Sequence, residues 1–358
     1  MLKVDQRIER AATLPATFYK DPAMFERCKD AVFARSWQFI GDTDGLKAPG
    51  STKPFTLLEG CLDEPLLLTR DMNDTLHAMS NVCTHRGMLV CETGGVERFL
   101  RCRYHGRRFG LDGSFTSMPE FEEVEDFPRA SDSLPKIALE TWDKLAFVSL
   151  SPSVPLETIL APIKARLDWL PLREFYYDPS RARDYIVRAN WALYCDNYLE
   201  GFHIPYIHAS LNAAIDYGNY TTEHYDWCNL QLGVASSGET AFELPRSSLD
   251  FGKNIAAYYY WVFPNLMLNF YPWGLSINVV RPLAHDRCKV SFIPYVWRSE
   301  LLESGAGAGL DRVEREDEVV VEAVQRGVRS RFYDRGRFSV VREACVHHFH
   351  RLLSGALQ

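Results

Sequence analysis

The chain has 358 residues, of which 46% are hydrophobic and 24% charged, and its net charge is −7. That length and apolar share can fill one large or two ordinary cores. The acidic balance excludes a basic field of the kind that binds nucleic acid or anionic membranes.

The start, MLKVDQRIERAATLP, lacks the apolar stretch of a secretory leader, and no run approaches the ~18 apolar residues of a membrane span. Residues 21–36 read as an amphipathic helix entered through Asp21-Pro22, a good N-cap and first-turn pair. From 37 to 151 the pattern changes to short β-type runs (PLLLTR, HAMSNVC, RRFGLDGSF, KLAFVSL) broken by Gly, Pro, Asn and Asp. Pro152, Pro155 and Pro162 punctuate the exit. Residues 152–358 follow with a helical stretch near 196–208 and strands over roughly 255–263, 266–280 and 288–297. SGAGAG is a flexible turn, and a helix spans 311–328. The expected organisation is α+β, with residues 1–36 belonging to the second domain and 37–151 inserted as an all-β module. Nine cysteines, an odd number, point to reduced thiols in the cytoplasm, some of them ligands, and not to a disulfide framework.

Inside the β module, Cys83-Thr-His85-Arg-Gly87 is followed, 16 residues after His85, by Cys102-Arg-Tyr-His105-Gly106. A two-Cys, two-His zinc finger would put both cysteines in one arm and both histidines in the other. Mixed arms suit a two-iron cluster in which each loop sends a cysteine to one iron and a histidine to the other. Cys91 has no histidine partner and reads as a structural thiol.

A second metal is written later in the chain. His203-x4-His208 has Glu200 three residues before it. On an ideal helix two rings five residues apart would point about 140° from each other, so Pro205 is expected to distort the helix and bring them together. Two histidines and a carboxylate make the triad of a non-haem Fe(II) site. Along the late helix, Asp317 is the acid on a valine stripe of Val313, Val320, Val321, Val324 and Val328, and is the expected third ligand. His347, His348 and His350 read as structural or surface residues.

CTHRG…CRYHG resembles the cluster signature of Rieske non-haem iron oxygenases, large (alpha) subunit. NYLEGFHIPYIH, EDEVVVEAVQRG and GRFSVVREACVHHFHRLL extend the resemblance over nearly the whole chain. The resemblance implies an all-β Rieske [2Fe–2S] domain in a helix-grip (Bet v 1/START-like) catalytic domain with an antiparallel sheet. It implies a mononuclear Fe(II), O2 as co-substrate, and NAD(P)H acting through a separate flavin/iron–sulfur reductase or a ferredoxin. It implies a homotrimer in which Glu200 bridges His105 of one chain to His203 of the next, and it sets Asn197 near the iron. A glutamate at position 200, where aromatic-ring dioxygenases carry aspartate, is similar to the branch acting on carnitine, choline and betaine. With no serine donor after Gly106, the cluster is expected at the low end of the Rieske range, near about −150 mV.

The aromatic stretch 257–273 offers Tyr260, Trp261, Phe263, Phe270 and Trp273 as pocket residues, suited to a flat ring by stacking or to a trimethylammonium group by cation–π attraction. The function expected is that of a terminal oxygenase component, hydroxylating a C–H bond or removing an N-methyl group of a small organic substrate. Two rivals stand beside it: an aromatic-ring hydroxylating dioxygenase acting on an aromatic acid, and a Rieske electron-transfer protein without oxygenase activity. Substrate identity, mono- against dioxygenation and the presence of a β subunit stay open.

Overall fold

The computed structural model describes residues 2–358. They fall into two compact units, one of residues 34–153 and one of the chain up to Phe33 together with residues 154–358.

In the first unit, strands Gln38–Asp42 (β1), Ser51–Leu57 (β2), Glu64–Arg70 (β3), Leu76–Ser80 (β4), Gly95–Val96 (β5), Lys136–Trp142 (β9) and Leu145–Ser149 (β10) form a seven-stranded sheet, ordered β1-β10-β9-β4-β3-β2-β5. A separate three-stranded sheet consists of Leu100–Arg101 (β6), Arg108–Phe109 (β7) and Phe115–Ser117 (β8). Cys83 and Cys102 are buried in one apolar cluster with Leu67, Met79, Leu100, Phe109, Leu111 and Leu134. The two motif loops are therefore anchored through their cysteines in the core.

The second unit opens with helices Ala16–Lys20 (α1) and Pro22–Cys28 (α2). Asp21 caps α2, accepting from Ala23 N at 2.9 Å. The helix expected over 21–36 stops at Cys28 and continues as a π-helical turn, Lys29–Phe33, that keeps Val32 and Phe33 buried. After helix Leu156–Leu167 (α3) come strands Tyr176–Tyr177 (β11) and Arg183–Val187 (β12), then helices Trp191–Tyr198 (α4), Ile204–Ile207 (α5) and Ala209–Ala214 (α6). The sheet is completed by Thr221–His224 (β13), Cys228–Val234 (β14), Ile255–Val262 (β15), Leu266–Tyr271 (β16), Gly274–Ala284 (β17) and Arg287–Val296 (β18). Its strands are antiparallel in the order β11-β18-β17-β16-β15-β14-β13, with β12 also on β18. Helices Leu310–Gly327 (α7) and Ala344–Ala356 (α8) close the chain.

The single strand expected over 266–280 is a hairpin of β16 and β17, turning at Pro272-Trp273. Proline has no ladder N–H, and Gly274 has φ +148° against the Tyr295 carbonyl, where a Cβ would collide. SGAGAG is packed, not loose: a Cβ on Gly307 would run into the Trp273 indole.

The two faces of this sheet differ in chemistry. Cross-strand rows Leu230–Tyr260–Leu268–Ile277 and Leu232–Tyr258–Phe270–Leu275 make one face apolar. The alternate rows, Gln231–Tyr259–Asn269–Ser276 and Asn229–Trp261–Met267–Asn278, carry buried amides and a hydroxyl. Buried polar side chains need partners. This polar face is the one that meets α4, where Gln231 Nε2 donates to Tyr198 O at 2.6 Å and Tyr198 OH donates to Asn269 at 2.6 Å.

Candidate metal centres

In the β unit the rings of His85 and His105 lie 4.8 Å apart, edge to face. Cys83 and Cys102 are buried in the same cluster, and burial, with the neighbouring Cys102 thiol adding to it, holds the Cys83 thiol above its usual range. Gly87 and Gly106, each closing a motif, have φ of +75° and +77°, which glycine adopts without strain. His105 Nδ1 is buried with no partner among the described residues. A buried ring nitrogen left unpaired beside two thiols and a second imidazole fits a bound iron–sulfur cluster. Cys91 stands apart, its Sγ 3.1 Å from Thr93 O. No disulfide forms among the described residues.

In the second unit His203, His208 and Asp317 bring one ligand atom each to within 4.8 Å of one another. His203 Nε2 is 3.1 Å from His208 Nε2, and Asp317 Oδ1 is 3.0 Å from His208 Nε2 and 3.4 Å from His203 Nε2. Convergence of two imidazole nitrogens and a carboxylate oxygen fits a mononuclear iron with open positions. Pro205 does not cause this by kinking a continuous helix. Instead α4 ends at Tyr198, and Leu199–His203 forms a separate turn in which Gly201 packs under the Tyr220 ring, 2.8 Å from where a Cβ would sit. Pro205 falls in the first turn of α5, where a missing N–H costs nothing.

Each ring is aimed through its other nitrogen. Glu200 Oε1 lies 2.7 Å from His203 Nδ1, and its Oε2 accepts from the His203 backbone N–H at 3.0 Å. Glu316 Oε2 lies 2.8 Å from His208 Nδ1. A carboxylate on Nδ1 fixes the tautomer that leaves Nε2 available to a metal. Asn197 Nδ2 donates to Asp317 Oδ1 at 2.6 Å. Burial alone would pull the His208 imidazole down, but Asp317 and Glu316 outweigh it and push it up to about 9.

The valine stripe is only partly core-facing. Val324 is 43% exposed, whereas Val321, Gln325 and Val328 are buried. At 100° per residue, Glu314, Val321, Gln325 and Val328 centre about 50° round the helix from Asp317, so Val324 turns outward. Glu314 therefore shares the site. It donates no ligand atom to the triad, but Tyr194 OH bonds to it at 2.7 Å, and burial pushes its carboxyl up to about 8. Glu314 and Glu316 were missed because charge pattern alone reads both as solvated. The unused signal was the i−3 position of Glu314 relative to Asp317.

Beside the triad is a partly open cavity lined by Tyr194, Tyr198, Tyr220, Tyr259 and Tyr271, with Gln231 and Glu314 among others. None of its described lining residues is Lys or Arg. The five aromatics expected there do not line it. Tyr260 and Phe270 lie on the opposite, apolar face of the sheet, because side chains alternate along a strand. Trp261 is on the correct face one row away, with its ring 5.0 Å from Phe349 of α8, and Phe263 packs on Trp261 and Trp227 past the strand end. Trp273 stacks behind Tyr271 at 5.4 Å. The alternation Asn229, Gln231, Asn269, Ser276, Asn278 in otherwise apolar strands was the legible mark of the pocket face. His350 is structural, with Nε2 2.8 Å from Asp196 Oδ1 and Nδ1 accepting from Leu14 N at 3.2 Å. His347 meets Asp5 O and His348 meets Asn229, each at 2.7 Å.

Two metal sites of different chemistry in one chain, one suited to single electrons and one with room for a substrate beside it, define a class. It is that of the oxygenases in which a Rieske cluster serves a mononuclear iron that activates O2. The Rieske [2Fe-2S] domain profile matches residues 36–128, and the ring hydroxylating alpha subunit (catalytic domain) profile matches residues 167–358, more than half the chain. This chain belongs to the ring-hydroxylating alpha-subunit family, an oxidoreductase using a [2Fe–2S] cluster, a mononuclear non-haem iron and O2.

Its relatives include the chloroplastic choline monooxygenase of Arabidopsis thaliana, 31% identical over 97% of this chain and 83% of that protein. Another is the carnitine monooxygenase oxygenase subunit of Escherichia coli (strain K12), 29% identical over 97% and 94%. A solved quaternary ammonium Rieske monooxygenase superposes with a TM-score of 0.79 at 24% identity, covering 97% of this chain and 96% of that one. Naphthalene 1,2-dioxygenase reaches 0.71 at 16%, covering 97% and 92%. At such identities the structures share a fold, and that fold serves both substrate classes.

Proposed function

We propose that the chain oxidises a quaternary ammonium cation at a C–H bond near the charged nitrogen. The observation that carries this reading is the cavity beside the triad: five tyrosine rings, with no Lys or Arg in the described lining. Tyrosine faces attract a trimethylammonium group. The same lining offers the carboxylate of an aromatic acid no Lys or Arg to pair with. The choline and carnitine relatives point the same way.

In this reading Cys83, His85, Cys102 and His105 hold the cluster, and His203, His208 and Asp317 hold the iron. Bound there, the iron supplies O2 activation; the overall reaction takes the substrate C–H, O2, two electrons and two protons to the alcohol and water. Glu200 and Glu316 orient the two imidazoles, Asn197 steadies Asp317, and the tyrosines exclude water and seat the cation. Hydroxylation of an N-methyl carbon would end in loss of formaldehyde and a tertiary amine. Electrons are drawn from NAD(P)H through a separate reductase.

The working assembly is a homotrimer in which Glu200 of one copy faces the cluster of the next. Exposed rings beside both sites support it: Tyr104, 56% exposed, stacks on His105 at 3.8 Å, and Phe202 and Tyr206 flank His203. The reduced cysteines support a cytoplasmic setting, and no helix among the described residues is long and apolar enough to cross a membrane.

The test is turnover with a reductase across choline, carnitine, glycine betaine, N-methyl amines and benzoate, scoring product and O2 uptake. Oxidation of an ammonium substrate is expected; product from benzoate alone would refute the reading.

A further inference from the structure

One charged group in the β unit has no part in the activity described so far. Arg107 follows His105 by two residues, and its side chain is 2% exposed. Its Nη2 donates to Asp132 twice, to Oδ1 at 2.6 Å and to the backbone carbonyl at 3.0 Å. The guanidinium carbon lies 5.0, 5.5 and 5.8 Å from the ring centres of Phe115, Phe127 and Phe109. A buried cation walled by three phenyl rings is screened little by solvent and cannot shed its proton. Such a group is expensive to keep without a use, and apolar replacements are often better tolerated.

Asp132 is also tied to the other ligand loop. Its carbonyl accepts from Thr84 Oγ1 at 2.7 Å, and Thr84 stands between Cys83 and His85. Its Oδ2 accepts from Arg129 N at 2.7 Å, which closes the turn Ala130–Asp132. On the second loop, Cys102 N donates to the Arg107 carbonyl at 2.9 Å. One residue thus bonds to both loops, in a domain where no disulfide ties them.

We infer that Arg107 and Asp132 form a charge clamp that joins the two cluster loops and sets the cluster's reduction potential. Reduction adds one negative charge to the cluster. The fixed guanidinium stabilises that charge, and the Asp132 carboxylate opposes it. Arg107 is a positioning residue, since it acts through the cluster and touches no substrate. The inference rests on Cys83, His85, Cys102 and His105 being the cluster ligands.

The experiment compares Arg107→Gln, Arg107→Lys and Asp132→Asn in the full chain. Iron content and visible absorbance report that the cluster is held, and an optical redox titration gives its potential. Arg107→Gln is expected to lower the potential by at least a tenfold change in the reduction equilibrium, about 59 mV for one electron. Arg107→Lys is expected to restore most of that loss. Asp132→Asn keeps the backbone bonds to Thr84 and Arg107 and is expected to raise the potential by a similar factor. A loosened loop would move both substitutions the same way, so shifts of one sign, or of less than twofold, overturn the clamp. Where Arg107→Gln fails to hold a cluster, Asp132→Asn decides alone, and an unchanged or lowered potential refutes it. A wild-type protein without cluster absorbance would overturn the ligand assignment itself, which separates that failure from failure of the clamp.

Discussion

Glu200→Gln tests the site at the point where its charge and its geometry separate. Glu200 makes two bonds to one residue, Oε1 to the His203 ring at 2.7 Å and Oε2 to the His203 backbone at 3.0 Å, and its side chain is 15% exposed. Glutamine has the same length, and its carbonyl oxygen can still accept from Nδ1–H, so the ring keeps the tautomer that turns Nε2 to the metal. What is lost is the negative charge that raises imidazole basicity, along with one of the two acceptors. Loss of such an orienting carboxylate typically costs 10–100-fold in activity or metal affinity, which is about 1.4–2.7 kcal/mol of barrier or binding. Turnover is therefore expected to fall by roughly that factor, with cluster absorbance unchanged and the mononuclear iron retained at saturating Fe(II). Single-turnover product formation from the pre-reduced protein is the assay, because it removes the reductase from the measurement. An unchanged single-turnover rate would refute the argument, and so would loss of the cluster spectrum.

His208→Ala and Asp317→Ala should each abolish product and lower iron from about three to about two atoms per chain, with the cluster spectrum intact; metal analysis and absorbance check both. Tyr259→Ala should raise KM for an ammonium substrate roughly tenfold, an aromatic–cation contact of about 1 kcal/mol or more. Tyr260→Phe, on the far face of the sheet, should leave KM alone, and a reversal of that order would contradict the pocket described here. Gly201→Ala forces a methyl against Tyr220 and should destabilise the protein by about 1–3 kcal/mol in thermal unfolding. Asp250, fully buried, is bonded by Arg166 at 2.7 and 3.0 Å and by Lys253 at 2.8 Å. Burial would raise its carboxyl, but these cations outweigh burial and hold it at about 2. A carboxyl depressed on folding stabilises the protein above its unfolded pKa near 3.9, and that contribution, about 2 kcal/mol, is lost as pH falls towards about 2. In Asp250→Asn the stability profile below about pH 5 should flatten and neutral-pH stability should drop by about 3 kcal/mol. Denaturant unfolding across pH measures both, and an unaltered acid limb would remove Asp250 from this role.

Local chemistry was written in the order of residues. Cys83, His85, Cys102 and His105 declare a mixed-ligand cluster by their alternation, and His203-x4-His208 with Glu200 declares a second metal, because ligand type and short spacing survive any fold. Asp21-Pro22 likewise marks a helix start through a capping bond that spans two residues. Whatever depended on which face of an element turns inward was decided by tertiary structure. A strand shows two faces with equal period, so Tyr260 and Phe270 read as well as Tyr259 and Tyr271 until the sheet is seen to carry its buried amides on one side only. Along α7 a rotation of about 50° separates a stripe centred on Asp317 from the face observed, and that rotation hides Glu314 among solvated acids. Arg107 is the same case in the β unit: in sequence it is one of several arginines near the motif, and only the closing of Asp132 over both ligand loops makes it a buried charge. Sequence alone determined which atoms can bind metal; packing decided which acids, rings and cations surround them.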